Sequence, residues 1–198
     1  MNKKFIFFSK LSLILVLFVI LAGSLVRMTG SGMGCPDWPK CFGYLIPPTS
    51  IEEITWKPNQ SYEKGIMILH ENKFFNSKQK FTSNKSFELY NWIPYTKHDY
   101  TKFDPLNTWF EFVNRLIGAI AGFSTLIMFF LSTYEFRRNK ILTLLSGLVV
   151  LSMGFQAWLG KLVVDSNLSP YKISIHMIMA IVIVCLIIYI IKKADAKY

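Results

Sequence analysis

Residues 108–133, TWFEFVNRLIGAIAGFSTLIMFFLST, decide the fold class of this chain. A helix needs about 20 mostly apolar residues to cross about 30 Å of hydrocarbon, and this stretch is long enough. Because a helix satisfies its own backbone hydrogen bonds inside a bilayer, the stretch predicts a transmembrane helix. Its first turns nevertheless carry an acid, an amide and an arginine, which are Glu111, Asn114 and Arg115.

Three further apolar runs accompany this stretch. The chain has 198 residues, of which 52% are hydrophobic and 16% aromatic, and its mean hydropathy of +0.35 is too high for a soluble domain of this length. Four transmembrane helices are predicted, over residues 8–27, 109–133, 141–159 and 173–191. The predicted fold is an all-α integral membrane protein, a four-helix bundle forming a single membrane domain, with a long outer loop over residues 28–107.

The net charge of +10 does not indicate nucleic-acid binding, because the cations flank the predicted helices. They cluster before and at the start of helix 1, between helices 2 and 3, and after helix 4 at Lys3, Lys4, Lys10, Arg137, Arg138, Lys140, Lys192, Lys193 and Lys197. The positive-inside rule predicts that both termini are cytoplasmic and that the long loop lies outside the inner membrane. The first span also resembles a signal peptide, but no small-x-small cleavage site follows, so we expect an uncleaved helix.

The start of the long loop is dense in glycine and proline and holds Cys35 and Cys41. Outside the cytoplasm, two cysteines this close favour a disulfide, whose role is either structural or redox-active. A zinc site is less favoured, because two thiolates without a nearby histidine leave the coordination shell incomplete. The rest of the loop, residues 51–104, is polar and aromatic and carries no catalytic signature, and its phenylalanines indicate folding onto the membrane surface.

Ionisable residues inside membrane spans are costly and are often functional. Glu111, Asn114 and Arg115 have i, i+3 and i+4 spacing and so share one helix face, while Arg27 ends the first span and His176 begins the fourth. One interpretation is a self-neutralising Glu111–Arg115 pair with structural hydrogen bonds from the other polar groups. The alternative is a haem site, in which histidine binds iron and arginine binds propionates. The positions of these residues leave both interpretations open.

Four motifs resemble the haem A synthase family: RMTGSGMGCPDWPKCFG (27–43), EFVNRLIG (111–118), FQAWLGKLVV (155–164) and IHMIMA (175–180). They occur in the family's order and on the matching predicted elements. The resemblance implies one half of a tandem pair of four-helix units, the N-terminal half, which holds the substrate haem. It also implies the family's activity, which is oxidation of a ring methyl of haem O to the formyl of haem A for cytochrome oxidase.

The same resemblance assigns the site residues. It implies that Glu111 assists proton transfer at the oxidised methyl, that Arg115 binds the cofactor, and that His176 is the iron ligand on the fourth predicted helix. It also matches Cys35 and Cys41 to the family's outer-loop cysteine pair.

Asn114 is the departure from the family, because it stands where the family has the second histidine ligand. An asparagine amide is a poor ligand for haem iron. His176 therefore either binds the haem (haem b, haem O or both) alone, or shares it with another group, for which His70 and His98 are the candidates.

Two classes of function follow from the resemblance. The first is a haem A synthase-like oxidoreductase that self-associates or pairs with a second half-protein, packing through Gly118, Ala119 and Gly122. The second is a non-catalytic haem-binding or cytochrome oxidase assembly protein. Haem O is the expected substrate, and haem O synthase and cytochrome oxidase are the expected partners.

Overall fold

The computed structural model describes residues 3–97, 102–134 and 139–195. It divides into two compact units. We name Met1–Thr29 with Val113–Tyr198 the helical unit, and Gly30–Phe112 the loop unit. His98, Arg137, Arg138 and Lys197, which the sequence singled out, lie outside the described residues.

The four predicted helices are confirmed, and each is longer than predicted. They are α1 (Lys3–Met28), α3 (Pro105–Thr133), α4 (Lys140–Asp165) and α5 (Pro170–Asp195), and a short α2 spans Ile51–Ile54. All four long helices are long and apolar enough to cross a membrane, and the chain is a membrane protein.

The polar ends of these helices explain the difference in length. At α3, the Asp104 carboxylate accepts a hydrogen bond from the Leu106 amide at 2.9 Å, and Pro105 occupies the first helical position. An aspartate cap followed by proline is a strong start signal for a helix. A prediction based on apolar runs misses such a start because the capping residues are polar.

The helical unit has an apolar core to which all four long helices contribute. Its buried members are Phe5, Val16, Ala121, Met128, Leu142, Val149, Ile183, Ile187, Ile190 and Ala194. Buried hydroxyl groups link the helices: Ser12 Oγ lies 2.8 Å from Ser124 Oγ, and Thr143 Oγ1 donates to the Ser132 carbonyl at 2.8 Å. Small residues and interhelical hydrogen bonds of this kind are typical of membrane helix interfaces.

The loop unit contains two small antiparallel sheets that the sequence analysis did not predict. One pairs β1 (Ser61–Tyr62) with β4 (Phe81–Thr82), and the other has the order β2 (Met67–His70), β3 (Lys73–Ser77), β5 (Trp92–Pro94). Their aromatic side chains pack on one another around the buried Trp92, which has edge contacts with Tyr62 and Phe81 and stacks on Phe87. The aromatic residues of this segment therefore supply its own core.

The predicted disulfide between Cys35 and Cys41 is confirmed, with the two Cα atoms 4.8 Å apart. Both cysteines are buried. The Asp37 carboxylate, which lies inside the disulfide ring, accepts hydrogen bonds from the backbone amides of Phe42 at 2.6 Å and Gly43 at 2.8 Å, the two residues that follow the ring. Gly43 has a φ of +80°, a conformation that L side chains rarely adopt.

We expect Gly43→Ala to destabilise the loop unit by roughly 3–5 kcal/mol, because the new Cβ would collide with the backbone carbonyl of Gly65. Gly65→Ala is the matched control: its φ is +83°, yet an added Cβ meets nothing within 4 Å, so we expect a loss of only about 1–2 kcal/mol. Tryptophan fluorescence during thermal unfolding of the purified chain measures both. Equal losses in the two variants would contradict the predicted collision.

Candidate functional site

His176 lies near the start of α5 and is half-buried against α4. Gln156 Nε2 donates a hydrogen bond to the backbone carbonyl of His176 at 3.1 Å. One turn further along α4 is Gly160, where an added Cβ would lie 3.3 Å from His176 Nε2, tighter than an ordinary contact. Residues four apart share a helix face, so α4 presents both the amide and the space for the imidazole to the same histidine.

Asn114, on α3, lies beside Gly23 of α1. A Cβ added at Gly23 would be in ordinary contact with the amide, 3.8 Å from Oδ1. The Asn114 Oδ1 atom is itself buried, and no group among residues 3–97, 102–134 and 139–195 donates a hydrogen bond to it. A buried amide oxygen without a donor is costly, so this atom indicates a place where a ligand or a water molecule would complete the structure.

Two arginines accompany these residues in the helical unit. Arg27, in the last turn of α1, donates a hydrogen bond from Nη1 to the sulfur of Met177, the residue after His176. Arg115 follows Asn114 on α3 and is half-buried. The guanidinium of Arg27 therefore lies near the histidine, whereas Arg115 has the position that the family pattern predicts for a cofactor-binding arginine.

Glu111 belongs to the loop unit, and its side chain is buried. Its Oε2 accepts a hydrogen bond from the backbone amide of Cys35 at 2.9 Å. One turn earlier on α3, Thr108 Oγ1 donates to the carbonyl of Gly34 at 2.9 Å. The first turns of α3 thus hold the cysteine loop by bonding both the carbonyl and the amide of the Gly34–Cys35 peptide group. The sequence did not indicate this role for Glu111.

His70, one of the two predicted alternative iron ligands, lies at the end of β2 in the loop unit. Its ring stacks on Phe87 with a centroid separation of 4.0 Å and contacts the edge of Trp56. His98 lies outside the described residues. In the part of the chain that the structure describes, no three His, Cys, Asp or Glu side chains group as a site for a bare metal ion.

The helical unit therefore fits a haem better than a bare metal ion. His176 carries an imidazole of the kind that binds haem iron, and Arg27 and Arg115 carry guanidinium groups of the kind that bind carboxylates. Asn114 Oδ1 and Gln156 Oε1 are buried acceptors that receive no hydrogen bond from the described residues. The sequence motifs alone did not indicate a role for Gln156 or Gly160. The sequence feature that could have pointed to them is the spacing of an amide, Gln156, four residues before a glycine, Gly160, in a largely apolar segment.

The chain is similar to several haem A synthases. It is 27% identical to that of Shewanella oneidensis over 169 residues (85% of this chain and 39% of that protein). It is 32% identical to that of Bacillus licheniformis over 155 residues (73% and 46%), and 29% identical to that of Orientia tsutsugamushi over 183 residues (87% and 42%). The chain thus spans less than half the length of these relatives. No solved structure gives a significant match.

A family-level match covers almost the whole chain. The sequence profile of the COX15-CtaA family, described as cytochrome oxidase assembly protein, matches residues 7–78 and 76–197. The match covers the whole loop unit and all four long helices apart from the first four residues of α1. The chain belongs to the COX15-CtaA family of cytochrome oxidase assembly proteins.

Proposed function

We propose that this chain is a haem A synthase-like membrane oxidoreductase that binds haem O and takes part in oxidising its ring methyl to the formyl of haem A. The observation that carries the proposal is the setting of His176. In a chain of this family, α4 holds the histidine backbone through Gln156 and leaves room for the imidazole at Gly160. This oxidation balances with dioxygen as the oxidant: the methyl group and dioxygen give the formyl group and water, and dioxygen accepts the electrons.

Each site residue has a proposed part in this function. His176 would bind the iron of the haem, Arg115 would pair with a propionate, and Asn114 would line the bound haem. When bound with one histidine, the iron supplies an open coordination position, which oxidation chemistry needs. Glu111 is the proposed proton acceptor during oxidation of the methyl, on the strength of the family resemblance. Haem b is a second haem that the same histidine can hold.

We further propose that the chain lies in the cytoplasmic membrane with both termini in the cytoplasm. The support comes from the cations of the helical unit. Lys10 near the start of α1 pairs with Asp195 at the end of α5, with 3.9 Å between Nζ and Oδ2, so these two ends lie at one level. Lys192 and Lys193 are in the last turn of α5. Clustered cations at one end of a membrane bundle favour the cytoplasmic side.

The proposed function includes a second four-helix unit, from another copy of this chain or from another polypeptide segment. More than half the length of each relative lies outside its match with this chain. On α3, a Cβ added at Gly118 or Gly122 meets nothing within 4 Å, and Ala119 between them is exposed. We propose that this small-residue face packs against the second unit. Haem O synthase and cytochrome oxidase are the proposed further partners.

A second candidate function is favoured by Asn114, which stands where the family pattern has a histidine. A chain that holds haem through one histidine without oxidising it would act as a haem-binding assembly protein for cytochrome oxidase. The two functions predict different contents of haem O and haem A in cells that lack the protein.

We expect deletion of the gene to abolish haem A and to make haem O accumulate, because the methyl oxidation would stop while its substrate is still produced. Chromatography of acid-acetone extracts from membranes measures both haems. The control is complementation with the unaltered gene, which should restore haem A. Normal haem A content with unassembled cytochrome oxidase would instead support the assembly function.

We expect the purified chain to carry a high-spin haem whose spectrum shifts on addition of carbon monoxide, because one histidine leaves an iron position open. His176→Ala should lose the pigment. His70→Ala is the matched control, since its ring packs on Phe87 in the loop unit, and it should keep the pigment. A low-spin haem whose spectrum does not change on addition of carbon monoxide would show that a second strong ligand is present. His98 would then be the next residue to replace.

Glu111 has a structural contact and a proposed catalytic role, and two substitutions separate them. Glu111→Ala leaves the buried Cys35 amide without its acceptor and should cost about 1–3 kcal/mol of stability. Glu111→Gln keeps an oxygen that can accept the same bond, so we expect a stability close to that of the unaltered chain but loss of haem A formation. Thermal unfolding and pigment analysis measure the two effects. Full haem A formation by Glu111→Gln would exclude the carboxylate from proton transfer.

A further inference from the structure

The side chain of Gln156 is an amide inside the apolar helix α4, and one of its two ends is fixed. Its Nε2 lies 3.1 Å from the backbone oxygen of His176. A carbonyl oxygen can only accept a hydrogen bond, so the NH₂ group must face it. The usual ambiguity between the two ends of an amide is therefore resolved here, and Oε1 is the end that points away from His176.

The Oε1 atom of Gln156 is buried, and no donor among the described residues reaches it. Buried amide oxygens are normally hydrogen-bonded, and hydrocarbon offers no substitute partner. The unused acceptor lies on the side chain that holds the backbone of His176, which is the histidine proposed to bind the substrate iron. A ligand that is held by His176 and extends along α4 to this side chain would supply the missing donor.

The chemistry of haem restricts which group that donor is. Ionised propionates only accept hydrogen bonds, and methyl and vinyl groups are apolar. Haem O differs from haem b (protohaem) at one ring position. Haem O carries there a long isoprenoid side chain with a hydroxyl group, and protohaem carries a vinyl group. The hydroxyl is thus the neutral donor that distinguishes the two haems.

We propose that Gln156 Oε1 accepts a hydrogen bond from the hydroxyl of the isoprenoid side chain, which makes Gln156 a residue that selects hydroxylated haem over protohaem. This inference rests on the proposed function, because it requires haem O at His176. It adds a second task for the amide: Nε2 positions the iron ligand, and Oε1 recognises the substrate. A site that hydrogen-bonds a substrate hydroxyl rejects an analogue without it, because the buried partner is then left unpaired.

The test uses the full chain purified in detergent without haem and titrated with three haems, with Soret absorbance as the readout. Haem O is compared with its side-chain methyl ether, which keeps the isoprenoid tail but has no donor, and with protohaem. We expect the unaltered chain to bind the ether about tenfold more weakly than haem O, the effect of one buried hydrogen bond.

Gln156→Met has a side chain of similar length without an amide. It should bind haem O and the ether with equal affinity. Gly160→Ala is the control for iron ligation: it crowds the imidazole and should weaken the binding of all three haems by a common factor.

Two results would overturn the inference. If the unaltered chain binds haem O and its ether equally, Oε1 does not recognise the hydroxyl, and this result does not depend on whether the variant folds. If Gln156→Met weakens the binding of haem O and of the ether by the same factor, the amide of Gln156 serves only to hold the backbone of α5. Both results leave the proposed function standing, whereas failure of the unaltered chain to bind any of the three haems would remove the proposed function together with the inference.

Discussion

Hydrocarbon contains no hydrogen-bonding partner, so each polar group that a membrane helix buries must find one within the protein or on a ligand. Several buried polar groups in the helical unit find a partner within the protein. Ser12 and Ser124 bond to each other, and Ser146 bonds to the carbonyl four residues before it on α4. Among the described residues of the helical unit, the exceptions are the amide oxygens of Asn114 and Gln156 and the amide nitrogen of Asn139, which precedes α4. We propose the haem site from the two amide oxygens together with His176.

The loop unit solves a different problem, which is to hold an acid in a fixed place at the start of a membrane helix. The disulfide closes the short ring from Cys35 to Cys41, and Asp37 inside that ring accepts a hydrogen bond from the amide of Phe42 just after it. The backbone amide of Cys35 then binds the carboxylate of Glu111. The acid is thus anchored from outside its own helix, so a change in the cysteine loop alters the surroundings of the carboxylate even though it lies far away in sequence.

The sequence predicted the elements whose signals are local. Long apolar runs identified four helices, and two close cysteines in a loop predicted outside the cytoplasm identified the disulfide. The sheets were not predictable in this way, because their strands have two to five residues and β3 pairs with β5 across a separation that places Phe75 opposite Pro94. Gln156 was missed for a similar reason, since its partner His176 is twenty residues away on another helix.

Asn114 gives the proposed site its asymmetry. Two histidines would occupy both axial positions of a haem iron and favour electron transfer, whereas an amide is too weak a ligand to close the second position. Its buried oxygen is instead a hydrogen-bond acceptor that needs a donor, as is that of Gln156. In the proposed function, α5 would supply the iron ligand, and α3 and α4 would supply acceptors. The site we propose is therefore a substrate site, where the haem is recognised and stays open to reaction, rather than an electron-transfer site.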